Sequence, residues 1–507
     1  MPDWFYRTVS QPLLFRLPAP RARNFALGFM GRLSRLPFGP LLIDFLGHMR
    51  ADPRLRKSLF EIEFPAAVGL GPWLDTRLAA TEALSRFGVG FIEIGPVRLQ
   101  GSAAAKEIKR IRKDEALWIA DEPDTISLHE CNRRLHQSAR LKVPLIVRLD
   151  TEPSAVAPGP DEDLSHLIGE LDRNVRLISL GSLTSAVAHH WSIDRWSTHL
   201  DAALTAAHGR GSKLLLTITA DQDFDTIAPL LDDALARGIA GFIIDGSIAA
   251  DPEGRLIGLP ARTPALQLLR RLRERYDVPI IASGGIHEPE HALEFLSAGA
   301  SLIQVDTGLI YTGPGLPKRI NDCLLFEATR NATPADPPPR PSELTWFWTT
   351  LMGAGMMIGG VLALVIAATK VVLPYDEAFL GMTITALTSI NPRLLAFMAH
   401  DRVTLAGVMV AIGLLYVGFS VFGMRRGLHW ARQSVLISAF TGFVSFFLFL
   451  GFGYLDTFHA FVTAALLQLL LMGVHARLGV YVPASRPDLR GDRAWRLSLW
   501  GQLLLVI

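Results

Sequence analysis

The stretch VPIIASGGIHEPEHALEFLSAGASLIQVDTGLI, residues 278–310, decides the fold. It holds two short apolar runs, Val278–Ala282 and Ser301–Val305. Each is too brief for a buried helix, and each is bounded by Gly, Pro or Asp, so each reads as a buried strand. Each is followed by a glycine turn, Gly284–Gly285 in one case and Thr307–Gly308 in the other. A strand, a helical stretch and a second strand make one unit of an α/β fold with a parallel sheet.

Six more runs of the same kind precede this pair: Ala67–Leu70, Gly90–Gly95, Val143–Leu149, Val175–Leu180, Lys213–Thr219 and Gly241–Asp245. Amphipathic helices separate most of them, such as Thr81–Phe87 and Pro264–Tyr276. The second of these has Thr263 placed as N-cap and Pro264 at its first position. Eight such units over residues 61–330 predict a closed (β/α)8 TIM barrel, whose functional side is the set of loops after the strands. Asp75, Arg148, Asp150, Asp221 and Asp245 all fall at or just after strand ends. Arg148 with Asp245 could hold a polar ligand or simply neutralise each other. The turns at Gly284–Gly285 and Thr307–Gly308 aim backbone N–H groups at one spot, where barrels hold phosphate. The alternative is that these glycines serve strand–helix packing.

Outside the barrel the composition changes. The chain is 50% hydrophobic and 19% charged over 507 residues, with a mean hydropathy of +0.29. The apolar excess lies after a Pro-rich linker at 331–344. Apolar runs at about 346–373, 403–423, 434–454 and 457–474 are each read as long enough to span a bilayer. A fifth starts near Trp495 and still runs at Ile507, as in a fragment of a longer protein. Residues 378–398 read as a re-entrant or interfacial stretch. Residues 345–507 are therefore expected to form an all-α multi-pass transmembrane bundle. Arg425, Arg426 and Arg432 lie in one connecting loop, and Arg477, Arg486, Arg490, Arg493 and Arg496 in another. The positive-inside rule puts both loops, and with them the barrel, in the cytoplasm. The N-terminus lacks the apolar core and cleavage site of a secretory signal, which points the same way.

Residues 1–60 alternate apolar residues with arginines at helical spacing, and none of the runs is long enough to span. They predict amphipathic helices on a membrane face. Lys370, Asp376, Glu377, His400, Asp401 and Arg402 sit near span ends and read as interfacial; His459 and Gln468 fall inside a span. Cys131 and Cys323 form no CxxC motif, and His189–His190 is a poor metal pair, so no metal site is expected. A net charge of +2, with no dense basic block, argues against a nucleic-acid partner.

Several stretches resemble class 2, quinone-linked dihydroorotate dehydrogenases, over residues 3–325. Leu14–Leu17 (LFRL) with Ala22 resembles their N-terminal membrane helices, although the family's proline falls on Ala19. Val68–Leu70 with Asp75, and Gly88–Gly95 (GVGFIEIG), resemble the first two strands. Pro279–Ile286 (PIIASGGI) and Gly299–Pro314 (GASLIQVDTGLIYTGP) are similar to the last two nearly residue for residue. The resemblance implies FMN as cofactor, held at Gly69, Gly71, Gly258, Gly284, Gly285, Asp306, Thr307 and Gly308. It implies membrane lipid and quinone as partners, and a place at the inner (cytoplasmic) membrane. Asp306 departs from the family, which has Tyr there.

The catalytic set is largely replaced. The family's lysine after the first strand is Thr76, and its lysine beneath the flavin is Thr217. The pyrimidine-holding asparagines fall on Leu117–Asp124 (LWIADEPD), Arg148, Ile178–Thr184 (ISLGSLT) and Gly246. The serine base falls on Gly181, beside Ser179 and Ser182. Asp75, Thr76, Arg148, Ser182 and Thr217 are the remaining catalytic candidates. The reading is a dihydroorotate-dehydrogenase-like flavoprotein, tethered to the membrane and inactive on dihydroorotate. The alternative is a barrel without catalysis, binding FMN or another phosphate ligand, or a scaffold for the membrane helices.

Overall fold

The computed structural model describes residues 5–47, 49–101, 107–120, 124–137, 141, 143–150, 160–251, 254–330, 340–450, 457–478, 497 and 500. The chain divides into two compact units, Met1–Ala328 with Ser485–Ile507, and Thr329–Ala484.

In the first unit all eight expected strands form. They are β1 (Val68–Leu70), β2 (Ile92–Arg98), β3 (Leu145–Leu149), β4 (Leu177–Leu180), β5 (Lys213–Thr219), β6 (Gly241–Asp245), β7 (Ile280–Ala282) and β8 (Leu302–Val305). All pair in parallel, in the order β1-β8-β7-β6-β5-β4-β3-β2, and β1 pairs β2 to close the barrel. Strands covered on both faces are mostly apolar, which makes them stand out as runs. The floor of the barrel is apolar. Phe64, from an N-terminal hairpin, packs on Phe91 and joins a cluster with Ala67, Ile146, Leu177, Leu215, Ile243, Ile281 and Leu302.

Two helices differ from expectation. The one expected at Pro264–Tyr276 spans Arg262–Arg275 and runs on from a 3-10 turn at Leu259–Ala261, so Thr263 is not its cap. The one expected at Thr81–Phe87 ends at Leu84. An antiparallel sheet of Ile108–Ile111, Ala116–Ala120, Gly254–Gly258 and Ser247–Ala250 is additional. Lys109, Arg110 and Arg255 interrupt Ile108–Ile111 and Gly254–Gly258, which hides these two from a search for apolar runs, whereas Ala116–Ala120 is itself an unbroken apolar run. Cys131 and Cys323 are free and buried.

The N-terminal segment forms Ala19–Arg35 and Gly39–Gly47, preceded by short turns. Leu27, Gly31 and Ser34 face inward, and a Cβ on Gly31 would strike the Ala79 carbonyl. Phe25, Phe29, Leu36, Phe38 and Leu41 face outward, each more than half exposed.

In the second unit, among the described residues, three helices are long and apolar enough to cross a membrane: Thr345–Thr369, Arg393–Arg426 and His429–Leu448. A fourth helix, Thr457–His475, covers the last of the four expected runs. The second begins ten residues earlier than its apolar run, at Arg393, so it takes in the end of the supposed re-entrant stretch. The rest of that stretch lies in short helices at Pro374–Leu380 and Ile384–Ile390. Gly353 and Gly413 face each other, and a Cβ on either would press on the other's carbonyl at 2.7–2.9 Å. Small residues allow this close crossing, as membrane helices commonly require. Asp376 pairs with Arg402. The fifth run lies outside the described residues, apart from positions 497 and 500, as does linker 331–339.

Candidate functional site at the barrel mouth

Side chains alternate across a strand, so residues two places beyond the floor form the next inward layer. That layer is Gly69, Glu93, Arg148, Ser179, Thr217, Asp245, Ser283 and Gln304, and it is largely polar. It is also buried: Glu93 is 1% exposed, Asp245 2% and Arg148 5%.

Its members bond chiefly to each other. Arg148 Nε donates to Glu93 Oε1 at 2.9 Å, and Arg148 Nη1 donates to Asp245 Oδ2. Ser179 Oγ donates to Glu93 Oε1 at 2.8 Å, and Gln304 Nε2 to Glu93 Oε2 at 2.7 Å. Burial opposes the Arg148 charge, but Glu93 and Asp245 outweigh it and hold the guanidinium protonated. Burial likewise opposes ionisation of Asp245, and Arg148 overcomes it, keeping that carboxyl below its ordinary value. Arg148 and Asp245 are thus partners in an ion-pair network.

Trp73, in the loop after β1, reaches across the mouth. Its Nε1 donates to Asp245 Oδ1 at 3.2 Å on β6, and its ring lies 6.0 Å from the Arg148 guanidinium on β3. It packs against Leu117, Ile119 and Ile257. Asp306, after β8, accepts a hydrogen bond from the Trp73 backbone, and a Cβ on Gly71 would strike its carboxylate. Burial first, then the charge of Asp245, pushes the Asp306 carboxyl up to about 7.

The other expected residues scatter into local roles. Asp75 accepts from Ala79 N at 2.7 Å, Ala80 N at 2.9 Å and Thr81 Oγ1 at 3.0 Å, fastening the loop after β1. Burial raises its pKa against the pull of those bonds. Thr76 accepts from Arg23 and donates to Asp124 at 3.1 Å. Ser182 and Thr217 are buried, and their hydroxyls find no partner among the described residues. Asp150 pairs with Arg98 at 2.7 Å, and Asp221 with Arg255 at 3.0 Å.

The glycine turns are packed tightly. A Cβ on Gly285 would meet the Gly258 carbonyl at 2.7 Å, and one on Gly284 would meet Ala265 Cβ at 2.7 Å. On Gly308 it would strike the Ile286 carbonyl, and on Gly69 the Phe91 ring. Gly258, Gly284 and Gly285 also have positive φ, which excludes other residues at little cost only to glycine. The Thr307 hydroxyl bonds His287 Nε2 at 2.8 Å, and His287 Nδ1 bonds Glu115 at 2.8 Å.

Trp73, Glu93, Gln304 and His287 were not among the expected site residues. Glu93 and Gln304 had a signal, being polar residues inside apolar strands at the same inward position as Arg148. Trp73 had none.

A closed parallel barrel with a buried polar layer at the C-terminal ends of its strands defines the class. Residues 242–326 match the family described as dihydroorotate dehydrogenase. The dihydroorotate dehydrogenase (quinone) of Chloroflexus aurantiacus is 29% identical over 350 residues, covering 63% of this chain and 96% of that protein. That of Kineococcus radiotolerans is 28% identical over 356 residues, covering 65% and 97%. The crystal structure of DHODH from Eimeria tenella in complex with ferulenol is similar at 21% identity and a TM-score of 0.49, covering 58% of this chain and 93% of that one. Over its first unit the chain is thus similar to dihydroorotate dehydrogenases of the quinone-linked kind.

Proposed function

We propose that this chain is a membrane-tethered, non-catalytic relative of the quinone-linked dihydroorotate dehydrogenases, with its barrel on the cytoplasmic side. The observation that carries this reading is Trp73 lying over a polar layer bonded to itself, through Asp245 and Arg148.

FMN is the cofactor the resemblance implies, and its ring end does not fit these residues. A flavin there needs the mouth that Trp73 crosses. Thr76 and Thr217 stand where the family has lysines, and the cation in this layer, Arg148, is already paired with Glu93 and Asp245 rather than free to support a reduced, anionic ring. Glu93, Asp245 and Asp306 face a single Arg148 in this cluster, an excess of acid. Dihydroorotate is itself an anion and would enter against that charge. It would also lack the asparagines that hold a pyrimidine, and each buried polar group left unpaired costs about 1–3 kcal/mol. The tight packing of Gly258, Gly284, Gly285 and Gly308 gives these glycines a structural reason to be present.

Detergent-purified full chain, assayed with dihydroorotate and a soluble quinone, should show no turnover above buffer. Turnover above buffer would overturn the reading. A second reading, a barrel that binds some other small polar ligand, is favoured by one observation. Arg148 Nη2, Thr217 Oγ1, Ser182 Oγ and Gln304 Oε1 are buried without a partner among the described residues, and a ligand or water would satisfy them.

Membrane lipid is the partner best supported, through the outward phenylalanines of the N-terminal helices and the apolar helices of the second unit. Quinone is implied by the resemblance alone.

A further inference from the structure

We propose that the first unit carries a binding site for the headgroup of an anionic phospholipid, formed by arginines between the N-terminal helix Ala19–Arg35 and the helix Leu128–Gln137. It rests on the reading that the N-terminal helices face a membrane.

A cavity of about 270 Å³ opens between these two helices beside Ala79. Arg32 and Arg35 line one wall, and Arg133 and Arg134 the other, with Gln137 at the edge. Arg133 and Arg134 share one carboxylate, Glu130, at 2.6 and 2.5 Å. Arg32 and Arg35 are exposed, and no acid lines this cavity. Four guanidiniums face Glu130 and, in the adjoining cavity that Arg35 and Arg134 also line, Glu82, which leaves an excess of positive charge. Planar guanidinium forks match phosphate oxygens in pairs.

The apolar neighbours select a lipid over a soluble phosphate. Phe25, Phe29 and Arg32 follow one another at spacings of four and three, so they share one face of the helix, and the exposed Leu36 follows as its C-cap. Phe25 is 64% exposed and Phe29 54%, and Phe38 and Leu41 extend the apolar surface beyond Leu36. Arg32 therefore rises from an apolar stripe straight into the cavity. Acyl chains would lie along the phenylalanines while the phosphate sits among the arginines. That is the arrangement of an interfacial helix on anionic lipid.

The test uses the detergent-purified full chain and photoactivatable lipids, with adducts located by peptide mass spectrometry. Phosphatidylglycerol should label peptides bearing residues 28–35 and 133–137, well above phosphatidylcholine. Each arginine near an anionic surface contributes about five-fold. The double variant Arg32→Gln, Arg35→Gln should therefore lose about 25-fold of the preference. Arg32→Lys, Arg35→Lys should keep much of it, which separates lost charge from lost folding. Equal labelling by the two lipids, unchanged labelling in the glutamine variant, or full displacement by inorganic phosphate would each overturn the site. If phosphatidylcholine still labels the Phe25–Leu42 segment in those cases, the membrane-facing reading survives the loss. If neither lipid labels that segment, the membrane-facing reading fails and takes the site with it.

Discussion

Arg148 Nε donates to Glu93 Oε1 at 2.9 Å across the adjacent strands β3 and β2, at the level of the barrel mouth. The pair is buried, and the same guanidinium bonds Asp245 on the far side. Burying one cation between two carboxylates is tolerable because each charge has a partner. Removing the centre is not.

Arg148→Met should therefore leave Glu93 and Asp245 buried and unpaired, costing about 3–5 kcal/mol. The triple variant Glu93→Gln, Arg148→Met, Asp245→Asn should cost less than the single one, because no charge is stranded. Thermal melts of the three proteins in one detergent would measure this. A single variant that melts with the wild type would show that the network is not formed.

Asp306 gives a pH dependence of definite sign. Its folded carboxyl is raised from 3.8 to about 7. Between those values the folded protein holds a proton that the unfolded chain has released, so stability falls as pH rises through the window. The contribution is fully present below about pH 4 and lost above about pH 7. Asp306→Asn should flatten this slope and stabilise the protein at pH 8 by on the order of a few kcal/mol. A variant whose melting temperature tracks the wild type from pH 5 to 8 would contradict the assignment.

The outward phenylalanines separate a membrane face from a core. Phe25→Ser, Phe29→Ser and Phe38→Ser together should cost little folding stability in detergent, since each side chain is already more than half exposed. Phe91→Ala, at a fully buried position, should cost about 3–5 kcal/mol. Comparable losses from the two changes would mean that the N-terminal helices pack by their phenylalanines.

The barrel was legible because parallel strands buried on both faces are short continuous apolar runs, and Lys213–Thr219 and Gly241–Asp245 were located to the residue. The helix at Arg262 was misplaced because Thr263 and Pro264 imitate a start signal inside a turn that was already helical. Asp245 and Arg148 are visible as strand-end residues, whereas Glu93, which Arg148 pairs with, and Gln304, which bonds Glu93, sit inside apolar runs. Counting every second residue from Phe91 and Leu302 would have placed them in the same layer. Trp73 could not be found that way. Its role depends on a loop crossing from β1 to β6, and no spacing in the sequence encodes that distance.

The most direct test of a closed mouth is the visible spectrum of the detergent-purified full chain, before and after incubation with FMN. The account predicts no stoichiometric flavin in the purified protein and none taken up while Trp73 and Asp245 are in place. Near-stoichiometric FMN, bleached on addition of dihydroorotate, would contradict it and make the barrel an enzyme.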